Sequence, residues 1–228
     1  MISEPIFGVT ITLLFFIIAI WLRDKTKISL LNPMLVTTLL IISFLYTLNI
    51  PYESYKIGGD MILNFLGPIT VILALPLYRN RTKLKKYYVS IFVGILSGSF
   101  SVMLTVISLS YLLGIQENLM PALLAKSVTT PIGLSISDMV GANRAITMIA
   151  IVFTGILGVT VAPILFKIFK ITNPIARGIA LGTTSHAIGT GKAFEYGSLE
   201  GAMSSVSIAL AGISSIFWVM FFQSIGIL

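Results

Sequence analysis

The sequence contains no cysteine, which excludes disulfides, iron–sulfur clusters and thiolate chemistry. It contains one histidine, and a lone histidine without cysteine is poor material for a transition-metal site. Charge is also scarce: 10% of the residues are Asp, Glu, Lys or Arg, where soluble domains carry about 25%. No glycine-rich loop follows a strand pattern, and no nucleophile, base and orienting group stand together. Neither an enzyme, a metal centre nor a cofactor is therefore expected.

What fills the space is apolar. The 228 residues are 56% hydrophobic, with a mean hydropathy of +1.01. The chain is expected to be an all-α polytopic membrane protein, with the lipid bilayer as its solvent. The net charge of +7 would raise nucleic acid as a partner of a soluble protein. Here the positive residues sit in short segments between apolar runs, so topology explains them and no nucleic-acid partner is expected.

Apolar runs of about 20 residues mark the spans. They cover roughly 5–22, 34–50, 61–78, 88–113, 145–166 and 200–226. The first has Glu4 before it and the basic cluster Arg23-Asp24-Lys25-Thr26-Lys27 after it, the reverse of a signal peptide. It is read as a retained span. Residues 51–60, with Gly58-Gly59, read as a loop. The run 61–78 is interrupted by Asn64, Gly67-Pro68, Thr70 and Pro76. Residues 79–86 follow, with Arg79, Arg81, Lys83, Lys85, Lys86 and no acidic residue. This stretch reads as a cytoplasmic loop. Gly94, Ser97, Gly98, Ser99 and Ser101 give the next span a small-residue face suited to close helix packing. No linker divides the chain, and residues 1–228 are expected to form one domain.

Two segments depart from the apolar pattern. In 119–140 the sequence Lys126-Ser127-Val128-Thr129-Thr130-Pro131 combines a cation, three hydroxyls and a helix breaker. Backbone freed at membrane depth survives where protein or a water-filled cavity satisfies it. The loop charges favour a re-entrant hairpin here. A full crossing would put Lys167, Lys170 and Arg177 outside, whereas a hairpin leaves only Arg144 there. Glu117, just before it, is expected outside. In 174–196 a second interrupted segment holds Gly182-Thr183-Thr184-Ser185-His186-Ala187-Ile188-Gly189-Thr190-Gly191 and Lys192. It reads as a second hairpin, entering from the inside, or as a broken span. Broken segments approaching from opposite faces occur in secondary transporters built from inverted repeats, though no sequence repeat is visible.

Candidate substrate-binding residues follow. Ser127, Thr129 and Thr130 would offer hydroxyls beside the free amides of a half-helix starting near Pro131, suited to a carboxylate; the alternative is back-bonding that bends the helix. Lys126 would attract an anion, or else snorkel or neutralise Asp138. His186 would bind an anion when protonated or carry a coupled proton, because intramembrane ionisable groups are functional by default. Thr190 lies one turn beyond it. Asn64 and Thr70 would line the same cavity, unless Gly67-Pro68 only kinks a helix.

Gly67-Pro68-Ile69-Thr70-Val71 with Ala74-Leu75-Pro76-Leu77-Tyr78, then Lys126 to Ile132, Thr154 to Gly158 and Ser185 to Thr190 occur in order. Together they resemble the signature blocks of the LrgB/CidB family, over nearly the whole chain. One departure is Gly141-Ala142, where many members have two glycines. The resemblance implies an antiholin-like membrane protein linked to murein hydrolase regulation and autolysis. A plastid relative, fused to an LrgA-like half, is a glycolate/glycerate transporter, and bacterial LrgA/LrgB pairs are tied to pyruvate uptake. The implied function is secondary transport of small monocarboxylate anions, proton-coupled through His186, in a bacterial cell membrane. The implied partners are an LrgA/CidA-like membrane protein and a second copy in a homodimer. The competing reading is a holin-like or antiholin-like pore regulator.

Overall fold

A computed structural model describes residues 4–26, 31, 33–72, 74–115 and 119–228. The side chains of Leu66, Ile69, Thr70 and Leu77 also lie outside it, as does Glu117. The described residues form helices and their connections, in two compact units, residues 1–72 and 73–228. Four of these helices are long and apolar enough to cross a membrane: α1, α7, α10 and α12 as delimited below.

The first unit holds α1 (Pro5–Thr26), α2 (Pro33–Thr47), α3 (Tyr52–Leu63) and α4 (Leu66–Ile72). The expected loop at 51–60 is in fact most of α3. Pro51, extended at φ −60° and ψ 137°, starts it. Lys56 and Asp60 bridge one turn at 2.7 Å. Gly58 does not mark a loop but a notch: a Cβ on Gly8 would lie 2.9 Å from the Gly58 Cα, so α1 and α3 touch backbone to backbone. The Thr12 and Tyr55 hydroxyls close the contact at 3.0 Å. At the expected span 34–50 stands α2, apolar but only 15 residues long and not among the helices long enough to cross.

The second unit holds α5 (Ala74–Arg79), α6 (Arg81–Lys86), α7 (Tyr88–Leu112), α8 (Met120–Leu124), α9 (Thr130–Met139), α10 (Arg144–Ile168), α11 (Pro174–Tyr196) and α12 (Ser198–Ser224). The basic stretch 79–86, expected as a loop, is helical almost throughout. Lysine and arginine are good helix formers, and Leu84 anchors α6 against the cluster of Ile91, Ile95 and Met203.

The segment α8–α9 turns back on itself. Residues 125–129 break the helix, and Thr129 is extended at φ −70° and ψ 153°. Gly133 then returns to Ala125, whose carbonyl lies 3.5 Å from where a Gly133 Cβ would be. In a continuous helix those residues would be about 12 Å apart along the axis. The hairpin enters between the C-terminal halves of α7 and α12. Its Leu124, Ala125, Val128 and Ile136 join Met103, Val106, Val219 and Phe222 in one apolar cluster. It leaves where Gln223 donates to the Met139 carbonyl at 3.4 Å.

The second interrupted segment, α11, is also a hairpin. His186 sits at φ 42° and ψ −132°, outside helical space. Beyond it, Gly189 presses on the Leu181 carbonyl. At the base, the Arg177 guanidinium lies 5.5 Å from the Tyr196 ring and 5.7 Å from the Phe166 ring. A straight helix would hold Arg177 and Tyr196 about 28 Å apart. Both legs therefore start and finish at the end of the unit that carries the N-termini of α7 and α12.

The two hairpins thus enter from opposite ends. Along α12, Ser204 and Ser207 meet the second hairpin at Gly182, and Gly212 meets the first at Ile132. Along α7, Gly98 faces Thr183, while Phe100 packs on the first hairpin's cluster. Gly94 and Gly98 therefore serve the close packing expected of the small-residue face.

Candidate functional site

The candidate site lies along α10, which touches both hairpins near their breaks. At the second tip, the buried His186 imidazole donates from Nε2 to the Ile151 carbonyl at 2.9 Å. A carbonyl can only accept, so the neutral ring carries its proton on Nε2 and leaves Nδ1 as an acceptor. The approach requires Gly155: a Cβ there would lie 2.7 Å from the His186 Cε1. Gly158, one turn on, seats Ser185 in the same way. The Ser185 hydroxyl is buried and shares a 3.2 Å hydrogen bond with that of Thr184.

Thr190 is buried, donates to the His186 carbonyl at 3.1 Å and meets the Ser204 hydroxyl at 2.8 Å. It supports the backbone that the turn frees and pins the second leg to α12. It is a positioning residue rather than a free ligand group.

At the first tip, Ser127 is buried and Lys126 is half-buried, with its ammonium 3.4 Å from the Ser127 hydroxyl. Asp138 pairs instead with Arg144, at 3.2 Å and exposed. Neutralisation of Lys126 by Asp138 is thus not what the structure shows, and Lys126 has no carboxylate partner among the described residues. Thr129 precedes the first turn of α9 and Pro131 lies within it; no side chain caps the helix. The half-helix starting near Pro131 is present as expected.

Ile151 links the tips. Its carbonyl takes the His186 bond, and its side chain packs on Gly133, one turn beyond Thr129. Lys126, Ser127, Thr129 and Thr130 thus form one cluster and His186 and Thr190 another, both held by α10 and α12. Asn64 is an exposed C-cap of α3 in the first unit, its N–H bonded to the Asp60 and Ile62 carbonyls. Thr70 belongs to α4 of that unit, and its side chain lies outside the described residues.

Sequence reasoning missed a cavity of about 970 Å³ on the other side of the second hairpin's first leg. Lys83, Lys86 and Asn173 stand at one end, Gly98, Thr183 and Thr184 at the other. Thr183 is buried, and its hydroxyl has no partner among the described residues, a situation that costs about 1–3 kcal/mol if nothing else bonds it. The signal that could have found this wall is the spacing of Gly94 and Gly98, one turn apart, opposite the hydroxyl run Thr183-Thr184-Ser185.

These features define an α-helical membrane protein with two opposed hairpins bearing polar tips. The LrgB-like family model matches residues 12–225, and the chain belongs to that family. An uncharacterised protein of Bacillus subtilis (strain 168), YwbG, is 40% identical over 185 residues, covering 81% of this chain and 82% of the relative. No solved structure matches.

Proposed function

We propose that the chain is a multi-pass secondary carrier of small monocarboxylate anions of the glycolate, glycerate or pyruvate type in a bacterial cell membrane. The observation that carries the reading is the pair of hairpins entering from opposite ends, with hydroxyls, a lysine that has no carboxylate partner among the described residues and the only histidine of the sequence at or near their tips. Broken helices of this kind place binding groups at the midplane of secondary transporters, and a simple pore needs none. The end that bears Lys83, Lys167, Lys170 and Lys192 is the cytoplasmic one under the positive-inside rule. His186 is the group proposed to carry a coupled proton. A homodimer and an LrgA/CidA-like membrane protein complete the proposed assembly, and control of murein hydrolase activity would be a consequence of the anion flux.

The second reading is an antiholin-like pore regulator, favoured by the family. Uptake of labelled pyruvate and glycolate into proteoliposomes separates the two. A carrier saturates and shows counterflow. A non-saturating leak without counterflow would select the pore.

A further inference from the structure

Several features of the 970 Å³ cavity set it apart from an ordinary packing defect. It runs along α7 from Tyr87 to Gly98, eleven residues or about 16 Å of helix. Its outer end carries Lys83 and Lys86, both exposed, and no acidic residue lines it. Its walls are largely apolar, formed by residues such as Ile175, Ile179 and Leu199. Its inner end is lined by Thr183 and Thr184, the Thr183 hydroxyl itself buried within the wall and without a partner among the described residues. Thr183 is three residues before His186, on the leg that ends at the hairpin tip. Pockets of about 300–1,000 Å³ take drug-sized ligands, so a two- or three-carbon acid would not fill this one; it has room to enter hydrated.

We propose that this cavity is the access vestibule from the basic end, and that it binds the carboxylate before the hairpin tips do. Lys83 and Lys86 draw the anion to the mouth, since a low-dielectric cleft lined by one sign of charge concentrates the opposite sign. The apolar wall accommodates the short carbon skeleton. Thr183 and Thr184 close the inner end, three residues short of the hairpin tip. This inference rests on the carrier reading for its choice of ligand, and its test is built on binding so that the two can fail separately.

The chain has no cysteine, so Ala180→Cys, on the half-buried cavity wall, can be alkylated by an impermeant thiol reagent in right-side-out and inverted vesicles. Modification is expected only from the basic end. Millimolar pyruvate or glycolate should slow it several-fold. Lys83→Gln/Lys86→Gln should weaken that protection about tenfold and flatten its dependence on salt, while Arg79→Gln/Lys85→Gln, which removes the same charge from the same end, should not. The proposal is overturned if neither acid protects, if both charge pairs act alike, or if protection follows the anionic lipid content of the vesicles rather than the added acid. Protection without flux in proteoliposomes would keep the vestibule as a binding site and sink the carrier; flux without protection would do the reverse.

Discussion

The imidazole of His186 on α11 and the carbonyl of Ile151 on α10, 35 residues apart in the chain, are joined by a 2.9 Å hydrogen bond. The bond ties the turn of one hairpin to the helix that also seats the other, because the Ile151 side chain packs on Gly133. Anything that moves this carbonyl or the ring reaches both tips.

Gly155→Ala tests that coupling. The new Cβ would sit 2.7 Å from Cε1 and 2.8 Å from Nε2 of His186, so the ring must leave its carbonyl. A loss of about 1–3 kcal/mol in thermal unfolding is expected from such overpacking, together with a fall in anion flux on the order of tenfold from the misplaced site. Unchanged flux would detach the His186–Ile151 bond from function.

Strain at the turn can be measured with a pair of variants. His186 holds φ 42° and ψ −132°, a region that costs a side-chain-bearing residue about 1–3 kcal/mol and glycine little. His186→Ala keeps the strain and loses the bond. His186→Gly loses the bond and relieves the strain. The glycine variant should therefore unfold at a higher temperature than the alanine variant, with both inactive in flux. Equal stabilities would show that no strain is stored there.

Proton coupling makes a separate prediction. If His186 carries the coupled proton, pyruvate uptake into proteoliposomes rises when the outside is made more acidic than the inside, because the proton gradient then drives symport. In His186→Gln the remaining uptake should no longer respond to the gradient. A response that survives the substitution assigns the proton elsewhere.

The paired and the unpartnered cation near the first hairpin should behave differently. Asp138→Asn breaks an exposed 3.2 Å bridge to Arg144 and should cost about 0–1 kcal/mol with flux retained. Lys126→Gln removes a cation with no carboxylate partner among the described residues and should raise KM for the anion with stability nearly unchanged. A large KM effect of Asp138→Asn would contradict the division of roles.

Hairpin geometry predicts sidedness. Cysteines replacing Lys170 and Lys192 should react from one face of the membrane and a cysteine replacing Arg144 from the other. If the cysteine at 144 reacts from the same face as that at 170, α10 does not cross between them.

Much of this architecture can be read from residue types. Lys126 to Pro131 cannot continue a lipid-facing helix, and the charges of Lys167, Lys170 and Arg177 then favour a return to the starting face. The second break was legible as glycines and hydroxyls, but whether it turned back could not be decided, because the turn depends on His186 adopting backbone angles that its residue type disfavours. Gly58 was misread because a glycine opposite another glycine on a different helix has the same local signature as a loop. The basic stretch 79–86 was misread for the opposite reason: its charges suit a solvent-exposed loop and an exposed helix equally well, and Leu84 alone tips the balance. Thr183 went unassigned because its isolation is a property of the cavity wall, which only the approach of α7 creates.

At the base of the second hairpin, Arg177 stands against Phe166 and Tyr196 and donates to the Ile171 carbonyl at 2.8 Å. Its tip is tethered by His186 to Ile151, and its second leg by Thr190 to Ser204. Mechanically this is a cantilever with its clamp at the basic end. Breaking the tip bond would leave Arg177 nearly stationary and give His186 the longest arc; a proton added at Nδ1 leaves the Nε2 donor in place, so the tether is released by moving the Ile151 carbonyl rather than by charging the ring.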